Sequence, residues 1–412
     1  MRILQANSVV WPHMIGGAET VVMLLARELT ARGLSVDLLA TTGRAGRNRP
    51  SERRIEGVAG SVYEAPDAGR FGVLDAVGDT RLPLVVRLAY HAGSAHSGRW
   101  ENFARHVLRQ TRPDLLHTHN LVGMTPSLWR AAHAENVPIV HTLHDHHLLC
   151  ARTTLLRSRL TVCTQPPLPC RLLMRAKLAP SHLIAAVTAP TRFILDRHFA
   201  EGAFAGTRAV VIPHAPEPVP GSLPRRTGAP AGGLFIGQLQ VHKGLRELLG
   251  ALKLLHAGSA TACVAFEIAG AGPLAAEVAT ACAALGDRCR FLGRVEDEAR
   301  EAAYARAGFV VVPSLWPETA GLVILEAAAR GLPAIAARRG GIPELVADGE
   351  TGFLVEPEPA ALATAIARYT SDPALARRHG EAAARRAGQY TRRRQVESYL
   401  KVYSEILGRA IP

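Results

Sequence analysis

The sequence predicts an α/β protein built as two doubly wound domains facing one another across a cleft. Short, nearly continuous apolar runs alternate with longer stretches of helical period along the whole chain. That alternation occurs once on each side of a single proline-rich segment. At 412 residues the chain is also long enough for two separate cores.

In the first half the strand-like runs are RILQAN, SVDLLAT, DLLHTH, PIVHTL, HLIAAVT and RAVVIP, with helical stretches such as AETVVMLLARELTARG (18–33) between them. The second half follows the same plan through GGLFIG, VAFEIAG, RCRFLG, GFVVVP, LPAIAA and TGFLV. Strands apolar on both faces and joined by helices imply parallel sheets covered on both sides. The segment 213–233 holds six prolines and little periodicity, and reads as a linker. The expected division is therefore a first domain over 1–212, the linker 213–233, a second domain over 234–388 and a C-terminal helix within 389–412. In such sheets ligands bind beyond the carboxyl ends of the strands, near helix N-termini.

With 48% hydrophobic and 20% charged residues the chain is of globular composition. The N-terminus, MRILQANSVVWPHM, lacks the plan of a signal peptide, and no run approaches 18 apolar residues, so the expected location is cytoplasmic. The net charge of +13 is uneven: residues 1–212 hold 25 Lys and Arg against 15 Asp and Glu, the remainder 23 against 20. No zinc-finger spacing, RNP motif or long basic run accompanies it, which argues against nucleic acid. The basic first half instead suggests an anionic membrane surface at the inner face or an acidic acceptor, with Arg81, Arg87, Arg99, Arg105 and Arg109 in a Leu/Val-containing region. Six cysteines are too few for a disulfide scaffold. Cys150, Cys163 and Cys170 follow His144, His146 and His147, but their spacing is not that of a common zinc site, so free thiols are expected.

The stretch PSLWPETAGLVILEAAARGLPAIA (313–336) carries Glu318 just after a proline and Glu326 eight residues later. On one helix, eight steps would leave them about 80° apart. With Glu318 in the loop before the helix and Glu326 two turns inside it, the carboxylates lie about 12 Å apart along the axis. That arrangement suits a ligand with two polar ends and an anionic middle. Gly16-Gly17 before an apolar helix offers close backbone approach and helix-start amides, Glu19 complementing the dipole. His117 and His119 end one strand and His141 and His144 follow the next, where they can bind hydroxyls. GQLQVHKG places Gln238 and Lys243 in a strand–helix turn, where the lysine can reach a phosphate, with His242 as a partly protonated neighbour. Gly340-Gly341 and the early Glu344 open a further helix.

The run from GQLQVHKG through AGAGP, FLGRV, PSLWPETAGLVILEAAARGLPAIA and GGIPELVADGETGFLV resembles the nucleotide-sugar half of glycosyltransferase family 4, and GGAE, DLLHTH and HTLHD resemble its acceptor half. The resemblance covers most of the chain, in order. It implies two Rossmann-like domains of the GT-B type and a C-terminal helix crossing back to the first domain, here YTRRRQVESYLKVYSEIL. It further implies that Glu326 binds the nucleotide ribose, that Glu318 reaches the transferred sugar, and that the amides of Thr319, Ala320, Gly321 and Leu322 face the donor. Lys243 and the Gly16-Gly17 amides would hold the diphosphate; His144 and His119 would contact the sugar. Relatives commonly carry arginine where Gln238 stands.

The implied activity is metal-independent, cofactor-free hexosyl transfer with retention, from a nucleotide-diphosphate sugar to a glycan, lipid-linked or small-molecule acceptor. The absence of an Asp-x-Asp motif agrees with metal independence. The departing phosphate would take the acceptor's proton, so no general base is named. A nucleotide-sugar epimerase and a catalytically silent nucleotide-sugar-binding subunit are the rival readings; the intact Glu318, Glu326 and Lys243 argue against the silent subunit.

Overall fold

The computed structural model describes residues 1–13, 16–42, 50–67, 93–217, 219, 232–258 and 265–411. The chain forms two compact units, one of Met1–Leu155, Cys163–Pro213 and Gln395–Pro412, the other of Leu156–Val162 and His214–Arg394. Most of the expected linker, positions 218 and 220–231, lies outside the described residues, as do Arg81, Arg87 and Cys263. Gly232 and Gly233, expected in the linker, already belong to a strand.

The first unit runs β1 (Arg2–Ala6), α1 (Gly17–Ala31), β2 (Ser35–Thr41), β3 (Ser51–Arg54), β4 (Ser61–Ala65), α2 (Gly98–Thr111), β5 (Leu115–Thr118), α3 (Ser127–Ala134), β6 (Ile139–Thr142), α4 (Leu168–Leu178), β7 (Ala186–Ala189), α5 (Arg192–Phe199) and β8 (Arg208–Val211). Its sheet has the order β3-β4-β2-β1-β5-β6-β7-β8. All pairings are parallel except β3 with β4, where Arg53 faces Val62. That antiparallel edge departs from the all-parallel expectation. SERR carries no apolar signal and largely faces solvent, so only its pairing makes it a strand.

The second unit runs β9 (Gly232–Ile236), α6 (Leu245–Gly258), β10 (Ala265–Ala269), α7 (Ala275–Leu285), β11 (Cys289–Gly293), α8 (Asp297–Arg306), β12 (Phe309–Val312), α9 (Leu322–Ala329), β13 (Ala334–Ala337), α10 (Ile342–Leu345), β14 (Gly352–Val355), α11 (Pro359–Ser371) and α12 (Pro373–Ala387). Its strands pair in parallel in the order β11-β10-β9-β12-β13-β14. Each sheet has a separate apolar cluster on each face, as strands without polar alternation require.

The last helix, α13 (Arg392–Leu407), packs its apolar stripe of Val396, Tyr399, Leu400 and Tyr403 into the first unit, against a cluster that includes Ile3, Val36 and Leu115. His117 pins it. The imidazole shares 2.7 Å hydrogen bonds with the Tyr403 hydroxyl through Nδ1 and with Thr142 Oγ1 through Nε2. Complete burial drives the His117 ring well below its usual pKa and keeps it neutral, so one nitrogen donates and the other accepts. The sequence reading gave His117 to a ligand face; in the structure it is a buried clasp. His141 is likewise structural, bonded to Thr118 Oγ1 at 2.9 Å and edge-on to Trp129.

Candidate active site

In the second unit, two backbone approaches bring the β9–α6 turn against the loop after β12. Gly244 has φ +74°, and a Cβ there would overlap the Pro313 carbonyl oxygen, so only glycine permits the contact. The Leu315 amide then donates to the His242 carbonyl at 2.9 Å. This delivers the Lys243 ammonium to Glu318 Oε1 at 2.6 Å, and Ser314 Oγ donates to the same oxygen at 2.7 Å. From the other side Gly340, at φ +59°, lies so close to Glu318 that a Cβ would overlap its backbone, and the Gly341 amide donates to the Glu318 carbonyl at 2.7 Å. Gly340-Gly341, read from sequence as a helix opening, therefore fixes the Glu318 backbone.

Burial alone would raise the Glu318 carboxyl, but the Lys243 ammonium and the Ser314 hydroxyl hold it below the ordinary glutamate value. Lys243 also stands 5.0 Å from the centroid of the Trp316 ring. His242 was expected to add partial charge, and it does not. Burial and the adjacent Lys243 pull its pKa down to about 4, so it is neutral near pH 7. Gln238 lies in the same turn, its carbonyl accepting from the Gln240 amide at 3.0 Å.

Glu318 precedes α9, and Thr319 to Gly321 form the turn into it, with Gly321 as N-cap and Leu322 the first helical residue. Glu326 lies in the second turn of α9, slightly nearer the mouth than expected. Burial raises its carboxyl above the usual range, opposed by a 2.9 Å hydrogen bond from the Tyr304 hydroxyl and by Arg300 and Arg330. Tyr304, on α8, is only 1% exposed and lies under the Arg330 guanidinium, 4.6 Å from the ring centroid. Arg330 is in turn fixed by Glu301 at 2.5 and 2.8 Å and donates to the Glu326 carbonyl at 2.8 Å. The two carboxyls, at the two ends of one loop–helix junction, are thus shifted in opposite directions from the usual glutamate value. Tyr304, Ser314 and Trp316 were missed from sequence; only Ser314, four residues before Glu318, stood close enough to be suspected.

In the first unit, Gly16 caps α1, but its amide donates to Glu19 Oε2 at 2.7 Å. That donor is spent inside the chain, which narrows the expected Gly16-Gly17 anion site to the amides that follow. Glu19 is more than a dipole complement: it is buried, and burial raises its carboxyl. His119 Nδ1 and His144 Nε2 are 3.0 Å apart, so the two predicted histidines form one hydrogen-bonded pair just beyond β5 and β6. Asp145 follows. Its carboxylate accepts from Asn120 Nδ2 and from the His147 amide, each at 2.8 Å. Burial would raise it, yet His147 holds it down to about 2, so it stays ionised. Cys150, Cys163 and Cys170 are unpaired, and no group of three or more metal-ligating side chains is arranged to hold an ion among the described residues.

Comparison with known proteins fits both halves of this arrangement. The family described as Glycosyltransferase Family 4 matches residues 15–216, and the family described as Glycosyl transferases group 1 matches residues 232–372. The chain belongs to glycosyltransferase family 4. Relatives of this glycosyltransferase include D-inositol 3-phosphate glycosyltransferases from Corynebacterium diphtheriae and Streptomyces avermitilis, each 29% identical. The first alignment covers 95% of this chain and 90% of the relative, the second 90% and 79%. Among solved structures, sucrose-phosphate synthase from Thermosynechococcus elongatus superposes with a TM-score of 0.70 at 20% identity, over 99% of each chain. HepE from Anabaena, solved with UDP, gives 0.68 at 20% identity over 98% of this chain and 100% of that one. The fold of this glycosyltransferase is the GT-B type. No helix among its described residues is long and apolar enough to cross a membrane.

Proposed function

We propose that this glycosyltransferase transfers a hexosyl group from a nucleoside-diphosphate sugar to a hydroxyl acceptor with retention of configuration. The observation that carries the reading is the Lys243–Glu318–Ser314 cluster at the mouth of α9, with Glu326 held apart by Tyr304 one turn on. In transfer the bond from C1 to the diphosphate oxygen breaks, the acceptor oxygen bonds to C1, and the departing phosphate takes the acceptor's proton. Negative charge grows on the leaving group as the sugar becomes oxocarbenium-like. An ammonium has three donors, so Lys243 can keep Glu318 and still donate to a phosphate. Placed where the charge develops, it favours the transition state over the ground state. Glu318 is then assigned to the transferred sugar, Glu326 to the ribose hydroxyls, and the amides of Thr319 to Leu322 to the donor. On the first unit, His144 and its partner His119 are assigned to sugar hydroxyls, and the Gly17 side of α1 to the phosphates. No resident metal or cofactor is required.

The acceptor is a glycan, a lipid-linked molecule or a small molecule. The curated relatives carry D-inositol 3-phosphate in their names, which places phosphorylated polyols first among those to try. Incubation with a panel of nucleotide sugars, with and without such acceptors, tests the reading. Acceptor-dependent release of nucleoside diphosphate supports it; acceptor-free isomerisation of the sugar, or binding without turnover, overturns it.

Tyr304→Phe should weaken binding of both the donor and free nucleoside diphosphate by about 1 kcal/mol, with kcat nearly unchanged, because one hydrogen bond that orients Glu326 is lost. Glu326 would also titrate higher, so the deficit should grow as pH falls. A fall in kcat with unaltered KM would contradict the ribose assignment.

Gln238→Arg adds a fixed cation to the turn that carries Lys243. Affinity for free nucleoside diphosphate, measured by calorimetry, should rise by about 1 kcal/mol or more, since charge-assisted hydrogen bonds are roughly twice as strong as neutral ones. Unchanged affinity would place the phosphates away from this turn.

A further inference from the structure

The basic region first suspected of meeting a membrane is largely neutralised where it is described: Arg105 pairs with Glu101 at 3.0 Å and Arg109 with Glu135 at 2.8 Å. A different segment carries a local excess of basic residues. Between Asp145 and Asp196 the chain holds six arginines and one lysine and no carboxylate. Within it lies α4, whose Met174, Lys177 and Leu178 are buried, Lys177 Nζ donating to the His147 carbonyl at 2.9 Å. Those contacts seat the inner face and settle which side faces outward. The outer stripe is Leu168, Arg171, Leu172 and Arg175, at helical spacing i, i+3, i+4, i+7. All four are exposed, Leu168 by 64% and Leu172 by 56%.

Two exposed leucines interleaved with two arginines on one stripe form the amphipathic pattern of a helix lying in a membrane interface. Leucines that enter the acyl boundary while arginines reach lipid phosphates use all four residues together. We propose that the Leu168–Arg171–Leu172–Arg175 stripe of α4 docks this enzyme on an anionic phospholipid bilayer. The surface stands on its own residues; that the bilayer presents a lipid-linked acceptor rests on the function proposed above.

Co-sedimentation of the full chain with vesicles of phosphatidylcholine, alone or mixed with phosphatidylglycerol, tests the surface without any turnover. Binding should require phosphatidylglycerol and weaken with salt. Arg171→Gln with Arg175→Gln should lower the partition coefficient about 25-fold, about fivefold per arginine. Leu168→Gln with Leu172→Gln, which leaves the charge intact, should lower it by about tenfold or more per leucine. Because these side chains lie outside the donor machinery, both double variants should keep wild-type transfer to a water-soluble acceptor. Failure to bind anionic vesicles, or equal binding to phosphatidylcholine alone, would overturn the proposal. So would loss in the arginine variant with none in the leucine variant, which signals a polyanion such as nucleic acid or an acidic protein. Vesicle binding by a chain that transfers no sugar would leave the surface standing and remove only the acceptor reading.

Discussion

Lys243→Ala should lower kcat/KM by on the order of 10²–10³ and weaken free nucleoside diphosphate binding as well. Two losses combine. His242 is neutral and Gln238 uncharged, so the β9–α6 turn would retain no cation for the departing phosphate. The buried Glu318 carboxylate would also lose its closest counter-ion, the 2.6 Å contact from Lys243 Nζ. With the ammonium gone, burial prevails and the Glu318 pKa rises, so the acid limb of any residual activity should move to higher pH. Stability follows the same sign. In the wild type the depressed carboxyl contributes stability above the unfolded pKa, and that contribution is lost as pH falls through the folded value. The variant should therefore melt lower at pH 7 and differ less from wild type in acid. An active Lys243→Ala with wild-type diphosphate affinity would mean that the phosphates bind elsewhere.

Glu318→Gln should behave in the opposite way toward nucleotide. Its kcat should fall on the order of 10²-fold or more, because the carboxylate beside the reacting sugar is lost. Yet the amide removes the charge that competes for Lys243, so affinity for free nucleoside diphosphate should hold or rise. The two neighbours are thus separable: one substitution loses turnover and product affinity together, the other loses turnover alone. Calorimetry beside steady-state kinetics on both variants measures this. Identical signatures would refute the division of roles.

The alternation of strand and helix was legible because a buried parallel strand is written locally, as in GFVVVP. Glu318 and Glu326 were legible for the same reason, lying eight residues apart across one loop–helix junction. What escaped is held by distant partners. The β3 edge carries SERR, whose polar pattern gives no strand signal until β4 pairs with it. Tyr304 meets Glu326 from the preceding helix, and Lys243 crosses 75 residues to reach Glu318. His117 and His119 stand two residues apart, and sequence treated them alike. Both are buried, but His117 is held by Tyr403, 286 residues further on, whereas His119 pairs with His144.

The clasp between Tyr403 and His117 also sets an order of assembly. Every residue assigned to the second unit is polymerised before the segment Gln395–Pro412 that completes the first. On the ribosome the earlier half therefore waits, with the part of this apolar cluster that α13 covers left open, while the later half can already fold. Chains truncated before Tyr399 would leave the α13 part of that cluster exposed. Their expected fate is aggregation or chaperone capture, although they would retain every residue assigned here to catalysis.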